Sequence, residues 1–345
     1  MIIDATMYWF PEELFTDDIL MREFLSAVPT ASGTYAYETG CKNNQLKQIV
    51  IEKPKGYPNL NYLQGDYGLE KQLAAMDKAG IDKAVLKIPG CHEWLSLDLC
   101  KQFNDGMAKH VKESNGRMAA LAVVPPSGTP ECIHELERCI SDLGMTGVQL
   151  STHYGTSYLD DETFAPLFRE LNEMDASVYI HHSPVPVQYD CLVEYNNLRR
   201  FYGRCADQTT AVGRELFSGF FDKYPRLKFI HSMLGGGFFA YSNMVVPQMA
   251  RSDEKISRFE SGNDSIRIHL ENNIFFEMSQ AQTWGKSQLE CAISVLGADH
   301  ILFGSSYPVR PEWLFEGAGF VRKLNISDAE KELILCKNAE RLYHI

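Results

Sequence analysis

The feature that most limits how this chain can fold is an alternation running from one end to the other. Short, apolar, β-rich runs are separated by amphipathic stretches. Eight runs read as strands: Ile2–Thr6, Lys83–Ile88, Met118–Val124, Thr146–Ser151, Ser177–His182, Leu227–Ser232, Asn273–Ser279 and His300–Ser305. Their nearly continuous hydrophobicity suits parallel strands covered on both faces. Between them, Tyr67–Ala79 and Glu131–Leu143 read as helices ending at Gly80 and Gly144, and Ser287–Leu296 as one ending at Gly297. Glu162–Met174 has apolar residues at helical spacing behind Asp160 and Asp161 as capping candidates. Eight strands alternating with helices predict an α/β protein, specifically a (β/α)8 TIM barrel. The rival is a doubly wound open sheet, but no GxGxxG follows the first strand as a dinucleotide-binding version needs.

One long interruption, Trp9–Asp66, separates the first strand from the first regular helix. It holds a predicted helix, Pro11–Ala27, and two alternating runs, Thr34–Glu38 and Gln48–Glu52, that read as a hairpin. Leaving the C-terminal end of the first strand, this insertion is expected to lean over the barrel mouth as a partial lid. No linker, repeat or low-complexity tract divides the chain, so residues 1–345 are read as a single domain with the insertion at 9–66.

The 345 residues carry 33 basic and 45 acidic side chains, a net charge of −12. Such a surface argues against nucleic acid or an anionic membrane as partner. It leaves a small anionic substrate open, because the field inside a pocket is set locally. Nine scattered cysteines without a CxxC pair read as reduced thiols of a cytoplasmic protein. Met1-Ile2-Ile3-Asp4 lacks the basic start of a signal peptide, and no run of about 20 apolar residues is present to span a membrane.

Three stretches resemble one family. Ile301–Pro308 (ILFGSSYP) is similar to the ILFGSDYP of the eighth strand in the amidohydrolase-related barrels, which include aminocarboxymuconate-semialdehyde decarboxylase, other aromatic-acid decarboxylases and hydratases. Leu227–Phe238 (LKFIHSMLGGGF) resembles the family's sixth-strand motif of histidine ahead of glycines, and Asn338–Tyr343 (NAERLY) its closing NAxRL segment. The resemblance covers essentially the whole chain and implies the barrel fold, the amidohydrolase superfamily and a homodimer.

The departures bear on chemistry. The family's first strand carries HxH as metal ligands, and Thr6 and Tyr8 stand at those positions. The fifth-strand histidine is kept as His181. Met233 falls at the sixth-strand ligand position with His231 two residues upstream, and Ser306 replaces the ligand aspartate of the eighth strand. Zinc needs about four nitrogen, sulfur or oxygen donors. One histidine among threonine, tyrosine, methionine and serine does not supply them, so the expectation is a metal-independent enzyme with no cofactor. Rescued ligand sets drawn from His153, His181, His231 and Glu277 stay open.

Active sites in such barrels lie at the C-terminal ends of the strands. His181 is read as the proton-transfer group, with its neighbour His182 on the other face. Glu277 interrupts the apolar seventh strand, and a carboxylate there needs a partner or a raised pKa. Tyr8 is read as a donor to a developing oxyanion. These three are the catalytic candidates. Substrate-binding candidates are Thr6, Lys87, His92, Gln149, His153, Ser306 and Arg310; Arg199, Arg200 and Arg204 follow the fifth strand as further possible carboxylate forks. For each, a structural role is the alternative: space filling for Thr6, Tyr8 and Ser306, a salt bridge for Glu277, a solvated surface for the arginines. The composite expectation is a lyase, foremost a decarboxylase, acting on a small aromatic or unsaturated carboxylic acid. Hydrolysis of a lactone or activated C–C bond, a noncatalytic metabolite-binding barrel, and a metal enzyme with unorthodox ligands are the alternatives.

Overall fold

The computed structural model describes residues 1–41, 46–246, 264–279 and 281–345. The eight expected strands are all present, numbered here 1 to 8: Ile3–Tyr8, Lys83–Lys87, Met118–Ala120, Val148–Ser151, Ser177–His181, Lys228–His231, Ile274–Glu277 and Ile301–Leu302. All their pairings are parallel. They form a sheet of strands 1, 2 and 3 and a sheet of strands 4 to 8. A parallel bridge between Ala122 and Val148 joins strand 3 to strand 4. At the other junction Ala5 N–H donates to Phe303 O at 2.9 Å and Ser306 N–H to Thr6 O at 2.9 Å. With helices between successive strands, this is an α/β protein of TIM-barrel type.

Most strands are shorter than the apolar runs that encode them, because the run continues into the turn at each end. Helix Leu69–Ala79 ends at Gly80, whose φ of 68° places it in the left-handed region that glycine reaches without strain. Helix Lys286–Leu296 ends ahead of Gly297 as expected. Helix Pro130–Ser141 stops at Asp142, before the predicted Gly144. Asp161 caps a 3-10 turn, Glu162–Phe164, ahead of helix Ala165–Glu173.

Two apolar clusters divide the core. The inner one takes Ile3, Ala5, Val85, Leu121, Tyr179, Ile230, Phe275 and Leu302 from the strands and is plugged by Ala339, Leu342 and Tyr343 of the C-terminal helix. Strand side chains alternate, so residues two positions further on share that inner face. From Val85, Tyr179, Phe275 and Leu302 this step leads to Lys87, His181, Glu277 and Gly304, and the candidate site is this next layer.

Between strand 1 and helix Leu69–Ala79, the expected hairpin is present as Tyr35–Gly40 paired antiparallel with Lys47–Glu52. A third strand, Pro58–Leu63, extends it. The single predicted helix is divided into a 3-10 turn, Glu12–Phe15, and a helix, Asp18–Ser26, capped by Asp17.

Candidate active site

Tyr8 and His181 meet at the upper end of the inner face, with Tyr8 Oη 3.0 Å from His181 Nε2. His181 Nδ1 lies 3.0 Å from the His182 carbonyl, which can only accept, so Nδ1 carries the proton. Nε2 is therefore the lone-pair nitrogen and accepts from the Tyr8 hydroxyl. Burial holds the His181 pKa well below its usual range, and the fields of His182, Lys87 and His92 add to this. The imidazole is neutral: a base in its resting form and a strong acid once protonated. Burial pushes Tyr8 up to about 12, while the Ser306 hydroxyl and the Arg204 charge pull it down.

Below this pair lies a second group. Lys87 Nζ donates to Tyr179 Oη at 2.6 Å, and Tyr179 Oη donates to Glu277 Oε2 at 3.2 Å. Lys87 Nζ also sits 4.7 Å from the Tyr8 ring centroid and 4.1 Å from that of Tyr179. Burial lowers the lysine pKa and raises the carboxyl pKa, and each charge opposes the shift of the other. Ser279 adds a hydroxyl bond to Glu277 Oε2. Glu277 Oε1 and Thr6 Oγ1 are buried without a hydrogen-bond partner. Both crowd Gly304, where a Cβ would run into them, so the eighth strand needs glycine at this level.

The sides are built by His92 and its supports. Gln149 donates to Ile88 O at 2.8 Å, accepts from Ile88 N–H at 2.9 Å, and directs Nε2 to His92 Nδ1 at 3.1 Å. Its amide is thus spent on the turn after strand 2 and on orienting His92, whose ring stands 5.1 Å from that of His181. His92 Nε2 is left as a buried donor without a partner. Burial lowers the His92 pKa to about 4.

Other candidates lie elsewhere. His153 is at the rim: its ring nitrogens lie 3.2 Å from the carbonyls of Gly155 and Val185, and it lines a cleft of about 460 Å³ with Lys53, Pro184 and Arg199. Arg310 stands apart from these groups. It is exposed, pairs with Glu312 at 3.0 Å, and sits just ahead of helix Pro311–Arg322. His231 corrects the ligand set that used it: its nitrogens bond Gln208 and Glu215, each at 2.8 Å, on the helix side of strand 6. Two residues outside the candidates, Tyr179 and Glu93, belong here, as does Arg204 from the possible carboxylate forks. Tyr179 bridges Lys87 and Glu277, and its signal was available, two positions before His181 on the same face. Glu93 is held by Lys53 at 2.8 Å. Arg204 is buried and acts on both Tyr8 and His182.

A profile of the amidohydrolase family matches residues 46–345. The chain belongs to the amidohydrolase family. Among its relatives is 2-amino-3-carboxymuconate-6-semialdehyde decarboxylase of Dictyostelium discoideum, 34% identical over 256 residues, which are 71% of this chain and 66% of that one. Another is gamma-resorcylate decarboxylase of a Polaromonas species, 24% identical over 80% of this chain and 87% of the relative. In three dimensions this amidohydrolase is similar to 5-carboxyvanillate decarboxylase of Novosphingobium aromaticivorans, a structure with manganese and 3-methoxy-4-hydroxy-5-nitrobenzoic acid bound. The TM-score is 0.76 at 21% identity, covering 100% of this chain and 97% of the other, which speaks for the fold.

That manganese raises the question of fit. Among the described residues no group of three or more His, Cys, Asp or Glu could hold a metal ion. His181 has both nitrogens in hydrogen bonds. Glu277 shares one oxygen with Tyr179 and Ser279, and the Lys87 ammonium acts directly on it. A dication beside Glu277 would meet that ammonium and find hydroxyls in place of ligands. The residues of this amidohydrolase do not fit the ion.

Proposed function

We propose that this amidohydrolase is a metal-independent decarboxylase of a small aromatic or unsaturated carboxylic acid. The observation that carries the reading is the Tyr8–His181 hydrogen bond at 3.0 Å, with the His181 tautomer fixed by the His182 carbonyl so that Nε2 holds the lone pair. The decarboxylase relatives support the reaction class, whereas the manganese of the solved relative weighs against metal independence. The residue set favours independence, because the ammonium of Lys87 already supplies a fixed positive charge under the site.

In the proposed reaction, His181 Nε2 takes up a proton and delivers it to the substrate carbon that bears the carboxylate. The C–C bond then breaks, its electron pair restores the double bond or ring, and carbon dioxide leaves. The product carries the new C–H bond, and His181, having passed on the one proton it took from solvent, is neutral again. A strongly depressed imidazole suits this step, since its protonated form is a strong acid. Tyr8 donates to an oxygen the substrate already carries as an anion, with the Lys87 charge behind its ring. His92 Nε2 is a second donor to the substrate, and Thr6 and Ser306 shape the wall.

We further read residues 1–345 as one cytoplasmic domain, with the two sheets as arcs of a closed (β/α)8 barrel and residues 9–66 as an insertion leaning over its mouth. The seam bonds noted above support closure. No helix among the described residues is long and apolar enough to cross a membrane.

The experiment is elemental analysis of untagged protein before and after chelator dialysis, paired with carbon dioxide release from a panel of hydroxybenzoic and unsaturated acids. Less than about 0.1 metal per chain with turnover intact is the expected result. One tightly held metal per chain whose removal abolishes turnover sinks the metal-free reading.

A further inference from the structure

Arg204 opens helix Arg204–Phe217, directly after a π-helical turn at Leu198–Gly203. Its side chain is 9% exposed. The helix reaches that depth because Gly203 lies against the loop after strand 5, where a Cβ would meet Pro184 O at 2.8 Å. Among the described residues the guanidinium makes one hydrogen bond, from Nη2 to Asn59 Oδ1 at 2.9 Å, and Nε is buried with no partner. Among the described residues no carboxylate is close enough to Arg204 to form an ion pair. The chain has carboxylates to spare, with 45 against 33 basic residues. Arg138 and Arg214, far from the site, each have an acid at 2.7 Å. A buried guanidinium without a counter-ion is costly, so the position is expected to receive an anion from outside the protein.

The neighbours place that anion beside the active site: Gln208, one helical turn on from Arg204, donates to Ile180 O and Ser232 Oγ, and Ser232 Oγ lies 3.3 Å from His182 Nδ1. The charge of Arg204 acts on Tyr8 and on His182. The acid whose charge acts on it is Glu93, already paired with Lys53 at 2.8 Å. Arg199, one turn earlier, differs in degree: its Nε is also buried without a partner, but its two terminal nitrogens make three hydrogen bonds, to Val193 O, Asn196 Oδ1 and Pro58 O.

We propose that Arg204 is an anion subsite and that it holds a carboxylate the substrate keeps, so that the substrate carries two acidic groups. The inference rests on the decarboxylase reading for the word "keeps". Loss of carbon dioxide draws electrons out of a carboxylate, and a guanidinium fork opposes this by stabilising the charge where it is. The carboxylate that leaves therefore lies by His181 and Tyr8, and the one beside Arg204 stays.

The test is calorimetric binding of benzoate and of the three benzenedicarboxylates to the full chain, the Arg204→Gln variant and the Asn59→Ala variant. At least one dicarboxylate is expected to bind the unaltered protein about tenfold or more tighter than benzoate. Arg204→Gln is expected to bring that preference to within about threefold, and Asn59→Ala to keep it. No preference in the unaltered protein overturns the proposal, as does a preference that survives Arg204→Gln. Equal loss in Asn59→Ala also overturns it, since Arg204 would then serve only to anchor the insertion. Should Arg204→Gln fail to fold, Arg204→Lys keeps a charge but loses the fork, and an unchanged preference there overturns the subsite as well. Binding is read without turnover, so a chain that prefers dicarboxylates through Arg204 but releases no carbon dioxide would refute the reaction and leave the subsite standing.

Discussion

Tyr8 and His181 form the contact on which the chemistry depends. Tyr8→Phe keeps the ring over Lys87 and removes only the hydroxyl. Turnover is expected to fall about 100-fold, while stability in a urea titration changes by about 1 kcal/mol. Unchanged turnover would leave Tyr8 as a mere space filler. Lys87 and Glu277 form a pair whose members depend on each other. Lys87→Met leaves a buried carboxylate without its cation and is expected to cost about 3–5 kcal/mol. The double variant with Glu277→Gln should recover at least half of that loss, and no recovery would show that the two do not interact. His92 gives a pH signature. Its folded pKa is about 4 against an ordinary 6.5, so the unfolded chain takes up a proton there that the folded chain refuses. Its contribution to stability is whole above pH 6.5 and is lost as pH falls toward 4. Relative to His92→Gln, the wild type should lose about 1.4 kcal/mol per pH unit over that interval. Unfolding curves at pH 7, 6 and 5 measure the difference, and parallel pH profiles would disprove it.

Element by element, the regular pieces follow the sequence and the irregular ones do not. The eight strands and their helices were legible because alternation and helical spacing depend only on near neighbours. The third strand of the insertion, Pro58–Leu63, was not, since Pro58 and Asn59 read as turn residues. The segment after strand 6 is the extreme case. Five consecutive residues, Met233, Leu234, Gly235, Gly236 and Gly237, have φ between 52° and 86°. The left-handed region costs a side chain about 1–2 kcal/mol, which explains glycine at three of the five positions. Gly236 is the tightest, because a Cβ there would run into the Cys205 carbonyl, at the base of the helix that carries Arg204. Gly236→Ala is expected to destabilise the protein by at least about 2 kcal/mol in a denaturant titration. A loss below half of that would show that the segment yields.

For the molecule as a whole, the resemblance implies a homodimer. A face consistent with one is present: Phe201, Tyr202, Tyr241 and Met244 are exposed, and Tyr202 and Tyr241 line an apolar groove of about 400 Å³. Sedimentation equilibrium is expected to give 2 × 39.1 kDa, and Tyr202→Glu to shift it toward one chain. A single-chain mass for the unaltered protein would remove the dimer. The sequence by itself determined the strand order, the helices between the strands and the family, and it set Thr6, Tyr8 and Ser306 where the resemblance implies ligands. These follow from residue types at fixed spacing along the chain. Only the tertiary structure decided which polar residues converge. It brought Tyr179 between Lys87 and Glu277, turned Gln149 onto His92, sent His231 to Glu215 and Arg310 to Glu312, and buried Arg204 without an acid. The reason is geometric. Side-chain direction is local and has a period of two in strands, but a partner across the inner face is set by strand register and helix depth, through contacts 90 and more residues apart in the chain.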